Sequence, residues 1–286
     1  MNYRHLGRSG LLVSPLCLGT MNLGQQASGE DSFVIMDRAL DCGINFFDTA
    51  NRYGVGQDRG HIGYTEEIIG NWFAQGEGRR DKVVLATKLY GSMADWPNFG
   101  KLSALNIRRA CEASLRRLKT DYIDLYQFHH VDRNTSWDEI WGAMERLVQE
   151  GKIVYAGSSN FAGWHIVQAN EAALGRHFLG LVSEQSLYNL MERTVELKYY
   201  PLAKHTEWVS FHGVRWPEDC SAASLTRHRT VVGQARRCSG RSGKIGPSLR
   251  NMRDSARNLE RLRRTWRWPG SWYNLPSLAR LSVRVP

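Results

Sequence analysis

Apolar and polar residues alternate along the first two hundred positions in two distinct rhythms. Six short runs are rich in β-branched and aromatic residues and are bounded by glycine or polar residues: SPLCLGT (14–20), INFFDTA (44–50), KVVLATKL (82–89), YIDLYQFHH (122–130), IVYAGSSN (153–160) and LVSEQSLYN (181–189). Their composition and length predict strands. Between them the apolar residues recur at helical spacing. The segment from Asp31 carries Phe33, Met36 and Leu40 on one face and stops at Gly43. TEEIIGNWFA has Thr65 as its expected N-cap and acids in its first turn. The next helix is capped by Ser103 and presents Leu105, Cys111, Leu115 and Leu118. A fourth opens on a Ser136…Glu139 capping box and closes at Gly151. AGWHIVQANEAALG and ERTVELKYYPLAKH continue the alternation.

Strand followed by helix, six times, predicts βαβ units and a parallel sheet. Two architectures compete for it. A doubly wound sheet would carry a GxGxxG turn after its first strand, and none is present. A closed (β/α)8 TIM barrel takes about 250 residues. The 286-residue chain has that length, with six units in residues 1–205. The barrel is favoured, incomplete after the sixth strand.

Charge redraws the boundary. The chain carries a formal net charge of +10, which alone would suggest a nucleic-acid partner. Yet residues 206–286 hold 16 Lys and Arg, of which Lys244 is the one lysine, against five acids, whereas residues 1–205 hold 22 against 23. The basic excess therefore belongs wholly to the C-terminal segment. No run approaches the roughly 20 apolar residues of a membrane span, and the N-terminus lacks an apolar signal core. Five scattered cysteines, with neither a CxxC nor a His pair at ligand spacing, read as reduced thiols without a metal. A cytoplasmic protein is expected.

In a barrel, polar residues at the C-terminal ends of strands face the active site. Asp48 ends the second strand and Tyr53 follows in its loop; Lys88 ends the third; His129 ends the fourth. A carboxylate closing an apolar strand needs a partner, and Lys88 on the neighbouring strand would be it. On its own that pair is equally consistent with a mere buried ion pair. A lysine beside Tyr53, however, would lower the phenol pKa from about 10, and such a phenol can protonate a carbonyl oxygen. A nearby histidine could orient that oxygen, a role for which His130 competes with His129 on spacing. The set suits carbonyl reduction by hydride.

These residues lie in GINFFDTANRYG, VVLATK, RLKTDYIDLYQFHHVD, GKIVYAGSSNF and SEQSLYNL, which, with the N-terminal YRHLGRSGLLVSPLCLGTMNLG, resemble the aldo-keto reductases from the start of the chain to about His205. The resemblance implies a (β/α)8 barrel that reduces aldehydes and ketones with NADPH and no metal. It implies Tyr53 as general acid, Lys88 as its tuner, Asp48 as the partner of that lysine and His129 as the group that orients the carbonyl. Ser159, Asn160 and Gln185 match the positions that hold the nicotinamide carboxamide, although Ser and Asn also cap strand ends without such a role. The expected partner is a small carbonyl compound, with neither nucleic acid nor membrane; the sequence leaves the oligomeric state open. A nucleotide-sensing regulatory subunit on the same scaffold is the alternative, and nucleic-acid binding through the basic segment a remote one.

After His205 the family pattern stops. Read from the third base of each codon, His212–Ala223 permits WSPLAGGLLGG, and Trp266–Arg284 permits ALAWLLVQPAVTSPTIGP, both similar to family sequence. A frameshift close to Thr206 is expected, making residues 206–286 an aberrant, poorly ordered Arg/Trp-rich tail. A chain so altered would be poorly stable and weakly active or inactive.

Overall fold

The computed structural model describes residues 1–54, 61–188, 193–197, 209–213 and 282–283. Each of the six expected runs supplies a strand: β3 (Cys17–Gly19), β4 (Phe46–Asp48), β5 (Val84–Leu89), β6 (Ile123–Phe128), β7 (Ile153–Ser159) and β8 (Leu181–Leu187). They pair in sequence order and all in parallel, as a partial (β/α)8 barrel requires. Five helices alternate with them: α1 (Gly29–Asp41), α2 (Tyr64–Phe73), α3 (Ala104–Leu118), α4 (Trp137–Gln149) and α5 (Gly163–Leu174). Preceding the barrel is a small antiparallel hairpin, β1 (Arg4–His5) with β2 (Leu12–Val13), which the residue pattern did not predict. Two further parallel strands extend the sheet beyond β8: β9 (Val209–Gly213) pairs with β8, and β10 (Ser282–Val283) with β9. The rest of the segment expected to be a poorly ordered tail lies outside the described residues, as does most of ERTVELKYYPLAKH, where 194–197 is helical.

Period-two alternation sorts the side chains into two cores. Phe46, Val84, Ala86, Leu125 and Val182 face the barrel interior, where Leu6 and Val13 of the hairpin join them near the strand starts. Phe47, Leu85, Tyr126 and Phe128 face outward onto Trp72, Ile107 and Trp141 of the helices. The strand ends are thereby left to polar residues.

Three of the five helices, α1, α3 and α4, start after a serine. Ser28, Ser103 and Ser136 each accept from a first-turn backbone N–H, of Asp31, Asn106 and Glu139. Gly43 (φ 78°) and Gly151 (φ 69°) end α1 and α4 in the left-handed region. Three expectations need correction. Thr65 is not an N-cap: α2 begins two residues earlier than that cap would place it, at Tyr64 after Gly63, and the Thr65 hydroxyl is buried and donates to the Leu23 carbonyl (2.9 Å). Leu105 is 38 % exposed, because the buried face of α3 runs instead through Ile107, Ala110, Cys111 and Leu118. Glu139 does not close its capping box; its carboxylate accepts from the Ala104 N–H (2.9 Å) and so joins the starts of α3 and α4.

Between α2, α3 and β5 lies Glu66, 0 % exposed, which accepts from Thr87 Oγ1 (2.5 Å) and from Arg117 Nε (2.8 Å). One turn further along α2, Gly70 faces the backbone of Arg117 and Leu118, where a Cβ would collide. Alanine is favoured over glycine in a helix by about 1 kcal/mol, but backbone cannot yield as a side-chain tip can. Gly70→Ala is therefore expected to destabilise the protein by about 1–3 kcal/mol, read as a lower urea midpoint; a raised midpoint would refute the close approach.

Candidate active site

The interior strands end in charge. Asp48, the last residue of β4, is 3 % exposed and accepts three hydrogen bonds. Lys88 Nζ (2.6 Å) and Gln185 Nε2 (3.0 Å) donate to Oδ2, and Gln127 Nε2 (3.0 Å) donates to Oδ1. Lys88, 1 % exposed, also donates to the Thr49 carbonyl (2.8 Å) and to the Tyr53 hydroxyl (3.4 Å). Burial by itself would lower the lysine's pKa; the charge of Asp48, and after it that of Tyr53, outweighs burial and raises it above the ordinary value. Nζ is thus held as an ammonium at neutral pH between a carboxylate and a phenol.

Of the two adjacent histidines, His129 is the one set against Tyr53, edge to face with ring centroids 6.1 Å apart. His130 is exposed, stacks on His129 (5.2 Å) and meets Tyr90 (5.4 Å). Burial, then the positive charge of Lys88, drives the His129 pKa down to about 3. Its imidazole is neutral at physiological pH. Because the folded pKa lies below the unfolded value of about 6.5, the unfolded chain takes up the proton first. Stability is expected to fall as pH drops from 6.5 toward 3, and the His129 ring resonances should stay in their neutral positions at pH 5 in a heteronuclear NMR titration. Protonation near pH 6.5 would contradict this environment.

Ser159, Asn160 and Gln185 come together beside this set. Ser159 ends β7. Asn160 follows in the left-handed region (φ 59°), its amide donating to the His129 carbonyl (3.1 Å) and to Ser159 Oγ (3.0 Å). The Asn160 N–H donates to the Gln185 carbonyl (3.0 Å). Gln185 faces inward because β8 carries a bulge: Ala156 pairs with Leu181, yet Ser158 pairs with Glu184. The extra residue reverses the alternation set by Val182, turning Glu184 out and Gln185 in.

Two residues of this neighbourhood escaped the reading of the sequence. Gln127 is an amide one residue before the end of β6, between Tyr126 and Phe128, which was its one visible signal. Glu184, the acid within SEQS, accepts from Ser158 Oγ (2.5 Å), Ser186 Oγ (2.7 Å) and the Phe161 N–H (3.0 Å), and so holds the turn that displays Asn160. The hydroxyl of Ser159 with the amides of Asn160 and Gln185 offers both donors and acceptors, a set that fits a carboxamide. No helix among the described residues is long and apolar enough to cross a membrane.

A parallel sheet with an Asp–Lys–Tyr–His cluster at its strand ends defines a class, and comparison with known proteins supplies the family. The sequence model of the aldo/keto reductase family matches residues 15–215. The chain belongs to that family. It is 57 % identical over 209 residues to the uncharacterized oxidoreductase YrpG of Bacillus subtilis (strain 168), covering 71 % of this chain and 63 % of that protein. It is 33 % identical over 218 residues to norsolorinic acid reductase B of Dothistroma septosporum, covering 71 % and 54 %. A probable voltage-gated potassium channel subunit beta of Oryza sativa subsp. japonica is 34 % identical over 204 residues, with 71 % and 60 % covered. The chain thus spans less than two thirds of the length of these relatives.

Proposed function

We propose that this site reduces an aldehyde or ketone with NADPH, with Tyr53 as the proton donor. The observation that carries the reading is the position of Lys88 Nζ, 2.6 Å from Asp48 Oδ2 and 3.4 Å from the Tyr53 hydroxyl. The bound nicotinamide would supply the hydride. Ser159, Asn160 and Gln185 would hold its carboxamide. The Tyr53 O–H gives its proton to the carbonyl oxygen, and the negative charge left on the phenol is opposed by the Lys88 ammonium. Asp48 keeps that ammonium charged and in place. Neutral His129 turns a ring N–H toward the carbonyl oxygen and so orients the substrate without adding a second cation. Small carbonyl compounds in the cytoplasm are the proposed substrates.

The residues from about Thr206 onward belong to the same proposal as a shifted reading frame, which would deprive the family barrel of its last designed units. The chain as written is therefore expected to oxidise NADPH with 4-nitrobenzaldehyde only weakly, and a frame-restored chain at an ordinary enzymatic rate, followed at 340 nm. An ordinary rate from the chain as written, or coding DNA with no missing or extra base near Thr206, would remove the frameshift. A second reading, a regulatory subunit that senses nucleotide, is favoured by the 34 % identity to a potassium channel subunit beta. A frame-restored chain that binds NADPH but turns over no carbonyl compound would support it over catalysis.

A further inference from the structure

The carboxylate of Asp48 is divided between two tasks. Its Oδ2 takes Lys88 and Gln185, while its Oδ1 takes Gln127 Nε2 at 3.0 Å. Gln127 sits in the interior beside Lys88, the two being paired in the register of β5 and β6, and it is fully buried. An ionised carboxylate accepts and cannot donate, so the amide must present its nitrogen to Asp48. That fixes where its carbonyl goes: Gln127 Oε1 is buried without a hydrogen-bond partner. A buried amide oxygen left unmatched costs about 1–3 kcal/mol. A glutamine kept only to fill space would be better replaced by an apolar residue of the same shape.

The surroundings make room for this orientation. Gly157 of β7 lies opposite Gln127 in the register, and a Cβ there would stand 3.2 Å from Gln127 Cγ and 2.7 Å from Ser183 Oγ. Ser183 Oγ is likewise buried without a partner. The absent side chain at Gly157 leaves the Gln127 Cγ and the Ser183 hydroxyl uncrowded.

We propose that Gln127 is a positioning residue that locks the Asp48 carboxylate in rotation and thereby sets the distance from Lys88 Nζ to the Tyr53 hydroxyl. With Oδ1 occupied by a neutral donor, the carboxylate cannot turn both oxygens onto the ammonium, and Nζ remains shared with the phenol. Loss of the amide would leave more of the Asp48 charge uncompensated and draw Nζ toward it. Both effects disfavour the Tyr53 phenolate, so both raise the pH at which Tyr53 ionises. The inference rests on Lys88 tuning Tyr53, and it needs no turnover to be tested.

The test is the ionisation of Tyr53 in the full chain, read at 295 nm as the difference between each protein and the same protein carrying Tyr53→Phe. The unaltered chain should show a midpoint below about 10. Gln127→Met, which keeps the shape and removes the amide, should raise that midpoint by about one pH unit. A merely structural glutamine would lower the melting temperature and leave the midpoint where it was, and that result overturns the inference. Where Gln127→Met does not fold, Gln127→Asn decides: it shortens the side chain by one methylene, withdraws the amide from Asp48 Oδ1 and should move the midpoint the same way, and an unmoved midpoint overturns the inference equally. A midpoint at or above 10 in the unaltered chain would instead defeat the reading of Tyr53 as a tuned acid.

Discussion

Lys88→Met is expected to destabilise the protein by about 3–5 kcal/mol. The pair it breaks is almost fully buried, with Nζ 2.6 Å from Asp48 Oδ2. An exposed pair at that distance would contribute about 0–1 kcal/mol. Here the cost comes from what remains. Asp48 keeps the amides of Gln127 and Gln185 but loses its only ion-pair partner among the described residues, and the Thr49 carbonyl loses its donor. Removing the acid as well, in Lys88→Met with Asp48→Leu, should recover much of the loss, since no uncompensated charge is then left inside. The sign with pH follows from the raised lysine pKa. Stability from the pair is fully present below about 10.5 and is lost as pH rises through the higher folded value. Urea titrations of the unaltered, single and double variants measure these differences, and a single-variant loss under about 1 kcal/mol would mean that the pair is solvated.

Tyr53→Phe is expected to lower carbonyl reduction by about 10²–10⁴-fold in a frame-restored chain, with cofactor affinity unchanged. Among the described residues the phenol is the one acidic O–H set against both a buried ammonium and a neutral imidazole. Phenylalanine retains the ring and its edge contact with His129 and removes the hydroxyl, and with it the proton and the 3.4 Å hydrogen bond from Lys88. Lys88 keeps Asp48 and the Thr49 carbonyl, so the scaffold should change in stability by less than about 1 kcal/mol. A loss of turnover accompanied by an equal loss of NADPH binding would point to a damaged site instead. Steady-state rates and cofactor titration by protein fluorescence separate the two.

Much of this arrangement was legible because a barrel strand carries its own address. A strand such as INFFDTA alternates Phe46 inward and Phe47 outward, so a polar residue at its end must lie on the rim. The same logic located Lys88 and His129. What stayed hidden depended on partners distant in the chain or on small local departures from regularity. Gln127 and Gln185 reach Asp48 across 79 and 137 residues, and no spacing rule encodes such contacts. The bulge at Val182–Ser183 exchanges the faces of Glu184 and Gln185, which simple alternation could not distinguish. The hairpin of β1 and β2 has two residues per strand, too few for any periodicity. Thr65 had the residue type of a cap, but its hydroxyl was claimed by a carbonyl 42 residues away. Spacing alone left His129 and His130 level; the family resemblance chose His129, and that is the ring set edge to face against Tyr53.

The measurement that bears most directly on the tuned phenol is the pH dependence of NADPH-driven reduction of 4-nitrobenzaldehyde by a frame-restored chain, with its Tyr53→Phe variant alongside. Proton donation requires Tyr53 in its neutral form, so the rate should fall as pH rises through a midpoint below about 10, and the variant should show neither that limb nor the rate. A variant that reduces the aldehyde as fast as its parent, along the same pH profile, would contradict the assignment of Tyr53.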